Sequence, residues 1–332
     1  MPHDDLDYGV AFGACATVEN PSEVRERFLG FCEDRLHLQK ANNFRVIGSP
    51  QQPVACANYI ILGKNQIPND IIFHYTSRSV LKSILENKEL WLSHYSSMND
   101  VTELEHSFGL LWYAMECHFC HLPSLELYNS VRQAFMSDLG IYLTSFSRSP
   151  NLLSQWRSYA SEDGVSIGFS AQLFAGKNYP DVNLVLDEVI YDEALQLERL
   201  EPLAIEFAEI INRLGDDLPD LQRELEKSRV RFCRVAAFLK NGGFAEEKEV
   251  RLIAFGNGAP RHSREGRYGE VEFVKLSLAD LYATTHELDV PICYVITGPS
   301  RDPDVSVAAV TDMLYQHKTK FYAVFDCAIP LR

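Results

Sequence analysis

The stretch FAEEKEVRLIAF, residues 244–255, decides how the fold is interpreted, because charged and apolar side chains alternate along it. Successive side chains of a β-strand point to opposite faces, so Glu247, Glu249 and Arg251 are expected on one face. The opposite, buried face would be lined by Val250, Leu252 and Ala254. Two acids two residues apart repel each other, and burying them without a partner costs free energy. We therefore expect a pocket wall on which Arg251 compensates the two acids.

The same pattern permits a second interpretation that involves no function. An antiparallel strand with one face in solvent also alternates, and its charged face would then simply be solvated. The polar segments upstream of this strand favour the pocket, because they carry further residue types that are suited to binding or catalysis.

Composition and charge narrow the class of protein. The 332 residues are 46% hydrophobic and 23% charged, which is typical of soluble globular proteins and excludes a largely disordered chain. This length suits one large domain with an appendage. The net charge of −15 repels phosphate groups, and no run of Lys and Arg offsets it locally. We therefore expect neither general nucleic-acid binding nor binding to an anionic membrane.

Signals for export or membrane insertion are not expected. The first ten residues, MPHDDLDYGV, are acidic and lack the positive flank and apolar core of a secretory signal. The apolar run from Val54 to Leu62 is too short to span a bilayer. Eight scattered cysteines suit reduced thiols, so the sequence favours a cytoplasmic protein.

The order of strand-like and helix-like segments predicts the fold class. Residues 1–68 are expected to form an accessory region, followed by a main domain over residues 69–332. Strands are expected at 71–76, 89–93, 140–147, 165–170, 184–191, 247–251, 271–276, 293–297 and 322–327. Helices are expected from Ser77 to Asn87 and at 22–39, 101–118, 152–159, 193–214, 218–240 and 305–316. Because strands and helices do not alternate strictly, we predict an α+β fold with a mixed, mostly antiparallel sheet and inserted long helices.

The first candidate site residue is His74, at the end of the first expected strand of the main domain, in the sequence FHYTS. With Tyr75 and Thr76, it lies just before a helix whose free backbone N–H groups favour an anion. The imidazole is suited to donate a hydrogen bond to a ribose or a phosphate. The alternative is a core histidine that is satisfied by a backbone carbonyl.

A second group of polar residues follows the next strand and comprises Ser93, Asn99, Asp100 and Glu103. These residues suit the edge of a polar pocket. They equally suit a turn and N-cap, with Glu103 facing back towards the cap as in a capping box.

The strand segment Thr144-Ser145-Phe146-Ser147 offers hydroxyl groups on one face. Ser145 and Ser147 share that face and are suited to support a catalytic carboxylate, although Ser and Thr are also ordinary residues at strand ends. Nearby, Trp156 and Tyr159 lie on one helical turn, where they either stack on a planar ring or fill the core.

No metal or haem site is expected. The string Cys117-His118-Phe119-Cys120-His121 matches the CxxCH pattern of covalent haem attachment, but that attachment requires an exported chain. A zinc site normally needs a second pair of ligands, which the sequence does not offer at a suitable spacing. Gly242-Gly243 is interpreted as a helix terminator, since the rest of a phosphate-binding loop is missing.

Taken together, the motifs resemble a known bacterial family. In chain order they are FHYTS, ELWLSHYSSMNDVTE, YLTSFS, LLSQWRSYASEDGVSIGFS, EVIYDE, GGFAEEKEVR, VITGP and IPLR. This set resembles the domain of unknown function family 2971 from about residue 71 to Arg332. The family has no settled activity, so this resemblance names no reaction.

A more distant resemblance implies chemistry. The opening strand, helix and strand are similar to the start of ADP-ribosyltransferase folds, where a His or Arg on the first strand holds the adenosine side of NAD. In one branch of those enzymes, an inner Ser/Thr/Ser strand supports a late Glu-x-Glu pair. Residues 144–147 and Glu247-Lys248-Glu249 would fill those positions. The resemblance implies NAD as a substrate, without a metal, bound by His74, Tyr75, Thr76, Ser93, Asn99, Ser145, Ser147, Trp156 and Arg251.

The same resemblance implies a mechanism. Cleavage of the nicotinamide–ribose bond develops oxocarbenium-like positive charge, as in glycoside hydrolysis. Glu249 would stabilise that charge and hold the 2′-hydroxyl, while Glu247 would orient or deprotonate the acceptor. Either Trp156 or Phe146 would stack on the nicotinamide ring.

The expected function is therefore an NAD-using, ADP-ribosyltransferase-like enzyme of the toxin, effector or phage-defence type. Its acceptor, a macromolecule or a small molecule, is not specified. His74, Ser145 and Glu249 would have to converge on one cleft, whereas a structural ion pair with Arg251 would instead neutralise the acids. One alternative is a non-catalytic module that binds a nucleotide or another ligand. Another is a metal-dependent hydrolase or nuclease, built from His74, Asp100, Glu103, Glu247 and Glu249.

Overall fold

A computed structural model describes residues 71–329 apart from gaps at 98–102, 121–122, 137–139, 161–162, 175–177, 180–181, 215–217, 256–259, 267–268, 283–291, 320, 322 and 328. The expected accessory region, residues 1–68, lies outside the described residues. None of the helices in the described ranges is both long and apolar enough to cross a membrane.

The described chain combines helices and strands. The strands are β1 (Ile71–Ser77), β2 (Glu89–His94), β3 (Ile141–Ser147), β4 (Gly164–Ser170), β5 (Asn178–Tyr179), β6 (Val182–Glu188), β7 (Glu249–Phe255), β8 (Arg261–Gly266), β9 (Gly269–Ser277), β10 (Ile292–Thr297) and β11 (Ala323–Asp326). The longer helices are α1 (Arg78–Asn87), α2 (Glu103–Glu116), α3 (Leu125–Met136), α4 (Glu193–Leu214), α5 (Leu218–Ala236), α6 (Leu278–Tyr282) and α7 (Pro303–Gln316). Shorter helical segments lie at Tyr95–Ser97, Leu153–Gln155, Trp156–Ala160, Ala171–Leu173 and Gly242–Glu247. With mostly antiparallel strand pairing, this mixture confirms the predicted α+β class.

The chain divides into two compact units, each assembled from segments that are distant in sequence. Among the described residues, the first unit contains the chain from Ile71 to Trp91, together with those of Ser145–Tyr179 and those from Lys275 onwards. The second unit contains Leu92–Thr144 and Pro180–Val274. Three of the four boundaries fall inside β2, β3 and β9, and the fourth falls between β5 and β6. Each unit is described by itself below.

The first unit is built on antiparallel strands that carry β-branched and aromatic residues. β1 pairs with β4 along its whole length, beginning with Ile71 opposite Ser170. β4 pairs in turn with β10, again antiparallel, whereas β10 pairs with β11 in parallel. Ile72, Ile167 and Val295 are fully buried on these strands, as expected of residue types that fit a pleated, packed surface.

The helix after β1 begins as the sequence predicts. The Ser77 side chain caps α1 by accepting a hydrogen bond from the backbone N–H of Val80 at 3.3 Å. The apolar residues that recur at helical spacing, Leu81, Ile84 and Leu85, are buried. This strand-to-helix connection fixes the position of His74 on β1.

Helices α2 to α5 form the apolar core of the second unit. α2 packs on α4, α3 packs on α5, and α4 packs on α5. Their apolar faces enclose aromatic rings, with the centroid of Phe135 at 5.1 Å from that of Phe207 and at 4.9 Å from that of Phe232. Burial of such side chains stabilises the fold by about 25 cal/mol per Å² of apolar surface.

The strand that carries the charged pattern differs from the expected one. It begins at Glu249 rather than at Glu247, because Lys248 adopts a left-handed conformation (φ 46°, ψ 48°) that interrupts the extended chain. Glu247 instead ends the 3-10 segment Gly242–Glu247. Every residue of β7 is buried, with Glu249 at 6% exposure and Arg251 at 0%, so the interpretation as a solvated face is wrong.

Other element boundaries also depart from the sequence patterns. The bounds of α4, Glu193–Leu214, are those predicted. The sequence predicts that the following helix reaches Lys240, whereas α5 ends at Ala236 and leaves that lysine beyond it. The sequence patterns do not indicate α3 or β8. The segment RHSREG of β8 is exposed throughout, so it carries no apolar alternation.

Candidate functional site

A buried arginine and glutamate on β7 form the centre of the candidate site in the second unit. The Arg251 Nε donates to Glu249 Oε1 at 2.8 Å, and Arg251 Nη2 donates to Glu249 Oε2 at 3.0 Å. Arg251 Nη1 donates to the backbone carbonyl of Ala237 at 2.8 Å. This two-bonded geometry fixes the carboxylate in direction as well as in distance.

Lys240 provides the second cation. Its Nζ lies 2.7 Å from Glu247 Oε2, 3.1 Å from Glu249 Oε2 and 3.3 Å from Glu103 Oε1. The backbone after α5 is anchored as well, because the Gln196 side-chain amide donates to the Lys240 carbonyl at 2.7 Å. One ammonium group therefore contacts three carboxylates.

Glu103, the first residue of α2, closes the cluster from a different element. Its side chain is 3% exposed, and Glu103 Oε2 lies 2.8 Å from Arg251 Nη2. On the same helix, the Ser107 hydroxyl donates to the backbone carbonyls of Glu103 and Ala236, at 3.1 Å and 3.3 Å. The carboxylate of Glu103 thus belongs to the charge cluster, whereas the residues that would form a capping box with it lie outside the described residues.

We define the charge cluster as Glu103, Lys240, Glu247, Glu249 and Arg251. It contains three carboxylates and two cations, so it carries a net charge of −1 when all five groups are ionised. Burial raises the pKa of Glu103, although Arg251 and Lys240 partly oppose that rise. Burial alone would lower the pKa of Lys240 and of Arg251, but the neighbouring carboxylates outweigh it and raise both values. Both cations are therefore held in the charged state.

One edge of the cluster is less buried than the rest. The Glu247 side chain is 16% exposed, compared with 6% for Glu249 and 3% for Glu103. Phe244, on the same 3-10 segment, is 40% exposed, and its ring centroid lies 4.9 Å from Lys240 Nζ. Tyr191 also borders the cluster, where its hydroxyl accepts a hydrogen bond from the Glu249 backbone N–H at 3.0 Å. Burial raises the pKa of Tyr191 to about 12, so the phenol is neutral.

In the first unit, His74 makes the contact expected of a satisfied core histidine. Its Nδ1 lies 3.0 Å from the Ser145 carbonyl oxygen, which can only accept, so Nδ1 carries the proton. The ring also packs against Phe146, with 5.7 Å between centroids. Burial lowers the pKa of His74, and the bond to Ser145 only partly opposes this change. The structure thus brings together two of the predicted residues, His74 and Ser145.

The other predicted residues of the first unit make local contacts. The Tyr75 hydroxyl donates to the Ser149 carbonyl at 2.7 Å and accepts from the Leu152 N–H at 2.9 Å. Ser147 is 1% exposed, and its hydroxyl accepts from the Ser149 N–H at 3.0 Å. Thr76 is buried. The hydroxyl groups of Tyr75 and Ser147 therefore help to hold the loop after β3.

Of the aromatic side chains that the sequence offers for stacking, Trp156 and Phe146 are buried, whereas Tyr159 is 44% exposed. Trp156 is 2% exposed, and its Nε1 donates to Asn151 Oδ1 at 2.8 Å. Phe146 is 3% exposed and packs against Phe169 and Phe174. These observations favour the core-filling alternative for Trp156.

The remaining predicted residues lie elsewhere. Ser93 is half-buried in the second unit, where its hydroxyl accepts a hydrogen bond from Arg264 Nη2 at 3.3 Å. Asn99 and Asp100 lie outside the described residues. His74, Ser145, Ser147 and Trp156 belong to the first unit, whereas Glu247, Glu249 and Arg251 belong to the second. The expected convergence of His74 with Glu249 therefore stays a prediction.

Sequence reasoning missed Lys240 as a site residue. The available signal is its context: it ends the apolar run Ala236-Ala237-Phe238-Leu239, where a charged side chain needs a partner if it is buried. Leu239, the residue before Lys240, also forms an isolated β-bridge with Ile190.

The CxxCH string shows no metal-binding arrangement in the described residues. Cys117 and Cys120 are exposed free cysteines, and His118 Nε2 lies 3.0 Å from Glu201 Oε1. Across the ranges that the structure describes, no group of three or more His, Cys, Asp or Glu side chains is placed to hold a metal ion. The three carboxylates of the charge cluster meet an ammonium group instead.

Comparison with models of known protein families gives a match to part of the chain. The model of a family described as "Protein of unknown function (DUF2971)" matches residues 155–252. This segment includes Lys240, Glu247, Glu249 and Arg251, four members of the charge cluster. No curated protein and no solved structure matches the chain.

Proposed function

We propose that this protein is an NAD-using enzyme with ADP-ribosyltransferase-like chemistry. The observation that carries the proposal is Glu247, a partly exposed carboxylate at the edge of a rigid, buried cluster in which acids outnumber cations. A role as a toxin, effector or phage-defence enzyme belongs to the same proposal, as does the unidentified acceptor.

The reaction requires a carboxylate near the ribose. The bond between ribose C1′ and the nicotinamide nitrogen breaks, and its electron pair passes to the ring, which becomes neutral nicotinamide. The positive charge that develops on the ribose is stabilised by a carboxylate held in place before the reaction. Water or an acceptor nucleophile then bonds to C1′ and gives up its proton to a base.

The geometry favours exchanging the roles that the resemblance implies for the two glutamates. Glu249 is 6% exposed, and both of its oxygens are bonded to Arg251, so it is suited to position its neighbours. Glu247 contacts Lys240 through Oε2 and lies at the more exposed edge. We therefore assign the contact with the ribose to Glu247 and a positioning role to Glu249.

The test is release of nicotinamide from NAD⁺ by the purified full chain, with Glu247→Gln beside a matched control. The control is Glu246→Gln, because Glu246 is the exposed neighbour on the same 3-10 segment. We expect Glu247→Gln to lower the rate by at least about 100-fold, as is usual for loss of one electrostatic contact with the transition state, while Glu246→Gln leaves it unchanged. Equal activity of the two variants, or no nicotinamide release by the wild type, would refute the proposal.

A second candidate function is a non-catalytic module that binds a nucleotide or another ligand. The bidentate bond between Arg251 and Glu249 favours it, because an ion pair of this kind also serves a purely structural purpose. It predicts saturable binding of NAD⁺ without release of nicotinamide, which the same assay separates from turnover when combined with calorimetry.

A further inference from the structure

We propose that β8, the exposed strand Arg261–Gly266, pairs with the same strand of a second copy of this chain and so forms a symmetric dimer. The inference goes beyond the proposed function and does not depend on it. β8 pairs with β9 and, among the described residues, with no other strand. All six residues of β8 are exposed.

The backbone of β8 is suited to receive another strand. Its pairing with β9 keeps one register from Arg261 opposite Val274 to Gly266 opposite Gly269. The strand contains no proline, and no bulge interrupts the described ladder, although both devices commonly protect an exposed edge. Such an edge presents a row of backbone N–H and C=O groups to which a further strand can bind.

The hairpin geometry indicates which residues offer those backbone groups. Gly266 and Gly269 flank a two-residue turn, and residues in these positions normally form a hydrogen-bonded pair. Hydrogen-bonded and non-hydrogen-bonded pairs alternate along an antiparallel ladder. Arg261, Ser263 and Glu265 therefore direct their backbone N–H and C=O groups away from β9.

The order of charges on β8 selects one register for the dimer. In a symmetric antiparallel pair, the two-fold axis places one residue opposite its own copy. With Ser263 at the axis, Arg261 of each copy lies opposite Glu265 of the other, so opposite charges meet twice. Centring on Arg264 would place two guanidinium groups opposite each other, and centring on His262 would place Arg261 opposite Ser263.

The surroundings of Glu265 in its own hairpin also favour a cation from a second copy. Glu265 lies directly opposite Glu270 on β9, and like charges at opposite positions destabilise a strand pair. Arg261 contacts Glu272 at 3.4 Å and remains 40% exposed. A guanidinium carries five N–H donors, so this contact is compatible with a second carboxylate. The arginine of a second copy would offset the repulsion between Glu265 and Glu270.

The contact is small, so the dimer is expected to be weak. Pairing of one short strand buries less surface than the roughly 1,600 Å² of a typical stable complex. Each copy also carries a net charge of −15, which opposes association. We therefore expect a dissociation constant on the order of 10–100 μM.

Sedimentation equilibrium of the full chain in about 0.15 M salt measures this dimer. Arg261→Glu and Glu265→Arg each place like charges opposite each other, whereas the double variant restores opposite charges in the reverse order. We expect each single variant to raise the dissociation constant at least about tenfold, and the double variant to return it to within about threefold of the wild-type value. Glu209→Arg, at an exposed position of α4, makes the same change in net charge as Glu265→Arg and should leave association unchanged.

Circular dichroism of each variant verifies that it is folded. A wild type that stays monomeric up to about 1 mM would overturn the proposal, and this is also the result expected if the edge binds a different protein. A dimer that both single variants leave intact would overturn it as well. So would a double variant that fails to associate, because weak association of the single variants would then reflect damage to the hairpin.

Discussion

At the scale of single residues, the burial of Arg251 dominates the energetics of the charge cluster. A guanidinium with no exposed surface needs all of its carboxylate partners, because an uncompensated charge in the interior costs several kcal/mol. The ion pair with Glu249 therefore need not add net stability to the fold. Removing only one of its two partners should nevertheless lower the free energy of unfolding.

The Glu249→Gln substitution tests this cost. It keeps the shape of the side chain but leaves Arg251 without its two-bonded partner, so we expect the free energy of unfolding to fall by about 3–5 kcal/mol. Urea denaturation of the purified variant measures it. Glu246→Gln, at an exposed position of the adjacent segment, should change stability by less than about 0.5 kcal/mol. A loss below 1 kcal/mol for Glu249→Gln would contradict the cost assigned to the missing carboxylate, since Arg251 then keeps only Glu103 as an acidic partner within the charge cluster.

Glu103 should respond to pH in the opposite way to a typical paired carboxylate. Since its pKa is raised in the folded state, the folded protein binds the proton more tightly than the unfolded chain does. The stability linked to this proton is complete below the unfolded value of 4.5 and is lost as pH rises through the raised value. Glu103→Gln should therefore gain stability relative to the wild type between pH 4 and pH 8. Parallel urea midpoints for the two proteins would contradict this sign.

The stability that His74 contributes should depend on pH in the opposite direction to that of Glu103. Because its pKa is lowered in the folded state, the unfolded chain binds the proton more readily. The stability it contributes is complete above 6.5 and is lost as pH falls towards the lowered value. His74→Asn, which retains a donor for the Ser145 carbonyl, should lose less stability than the wild type between pH 7.5 and pH 5. Thermal unfolding at both pH values measures the difference, and equal losses would argue against a buried neutral imidazole.

At the scale of elements, the left-handed Lys248 separates the 3-10 segment from β7 and directs Glu247 and Glu249 differently. Sequence alternation predicts one continuous strand, since it contains no information about a residue with positive φ. Glycine and asparagine often adopt positive φ and so indicate such a turn in a sequence, whereas lysine does not.

Substitutions at Lys248 test this break. Lys248→Gly should change stability little or raise it, because glycine adopts φ near 46° without strain. Lys248→Val should lower the free energy of unfolding by about 1–2 kcal/mol, since a β-branched residue is disfavoured there. Circular dichroism during urea titration measures both variants. Equal stability of the two would indicate that the turn is not strained.

Other elements show what the hydrophobic pattern of the sequence can and cannot predict. α4 was predictable because its buried residues, among them Leu200, Phe207 and Ile211, recur at helical spacing. The charged pair Glu249 and Arg251 was also predictable as a unit. The position of Glu103 beside them was not, since contact between α2 and β7 depends on packing between segments far apart in sequence.

At the scale of the whole molecule, the described chain forms two units whose segments alternate along the sequence, while the predicted appendage lies outside the described residues. Three of the four crossings fall within β2, β3 and β9, where no glycine-rich or polar linker marks a boundary. Composition alone cannot reveal such a division, because each unit draws on separate stretches of similar character.

The proposed chemistry also makes a prediction for the molecule as a whole. Because the proposed mechanism stabilises the positive charge on the ribose with a carboxylate of the chain itself and uses no metal ion, NAD⁺ cleavage should be unchanged by EDTA and by added Mg²⁺. The assay is nicotinamide release with and without each reagent. Loss of activity with EDTA that returns with Mg²⁺ or Mn²⁺ would instead favour the metal-dependent hydrolase.

The two cations of the charge cluster are not interchangeable. Acids from a helix, a 3-10 segment and a strand all lie within 3.3 Å of Lys240 Nζ, which suits a compact point charge. A planar guanidinium satisfies partners in its own plane, as Arg251 does with Glu249. Exchanging the lysine at 240 and the arginine at 251 would preserve the total charge. Neither cation would then have the shape that suits the carboxylates around it. Conservation of charge is therefore an insufficient guide to tolerated substitutions here.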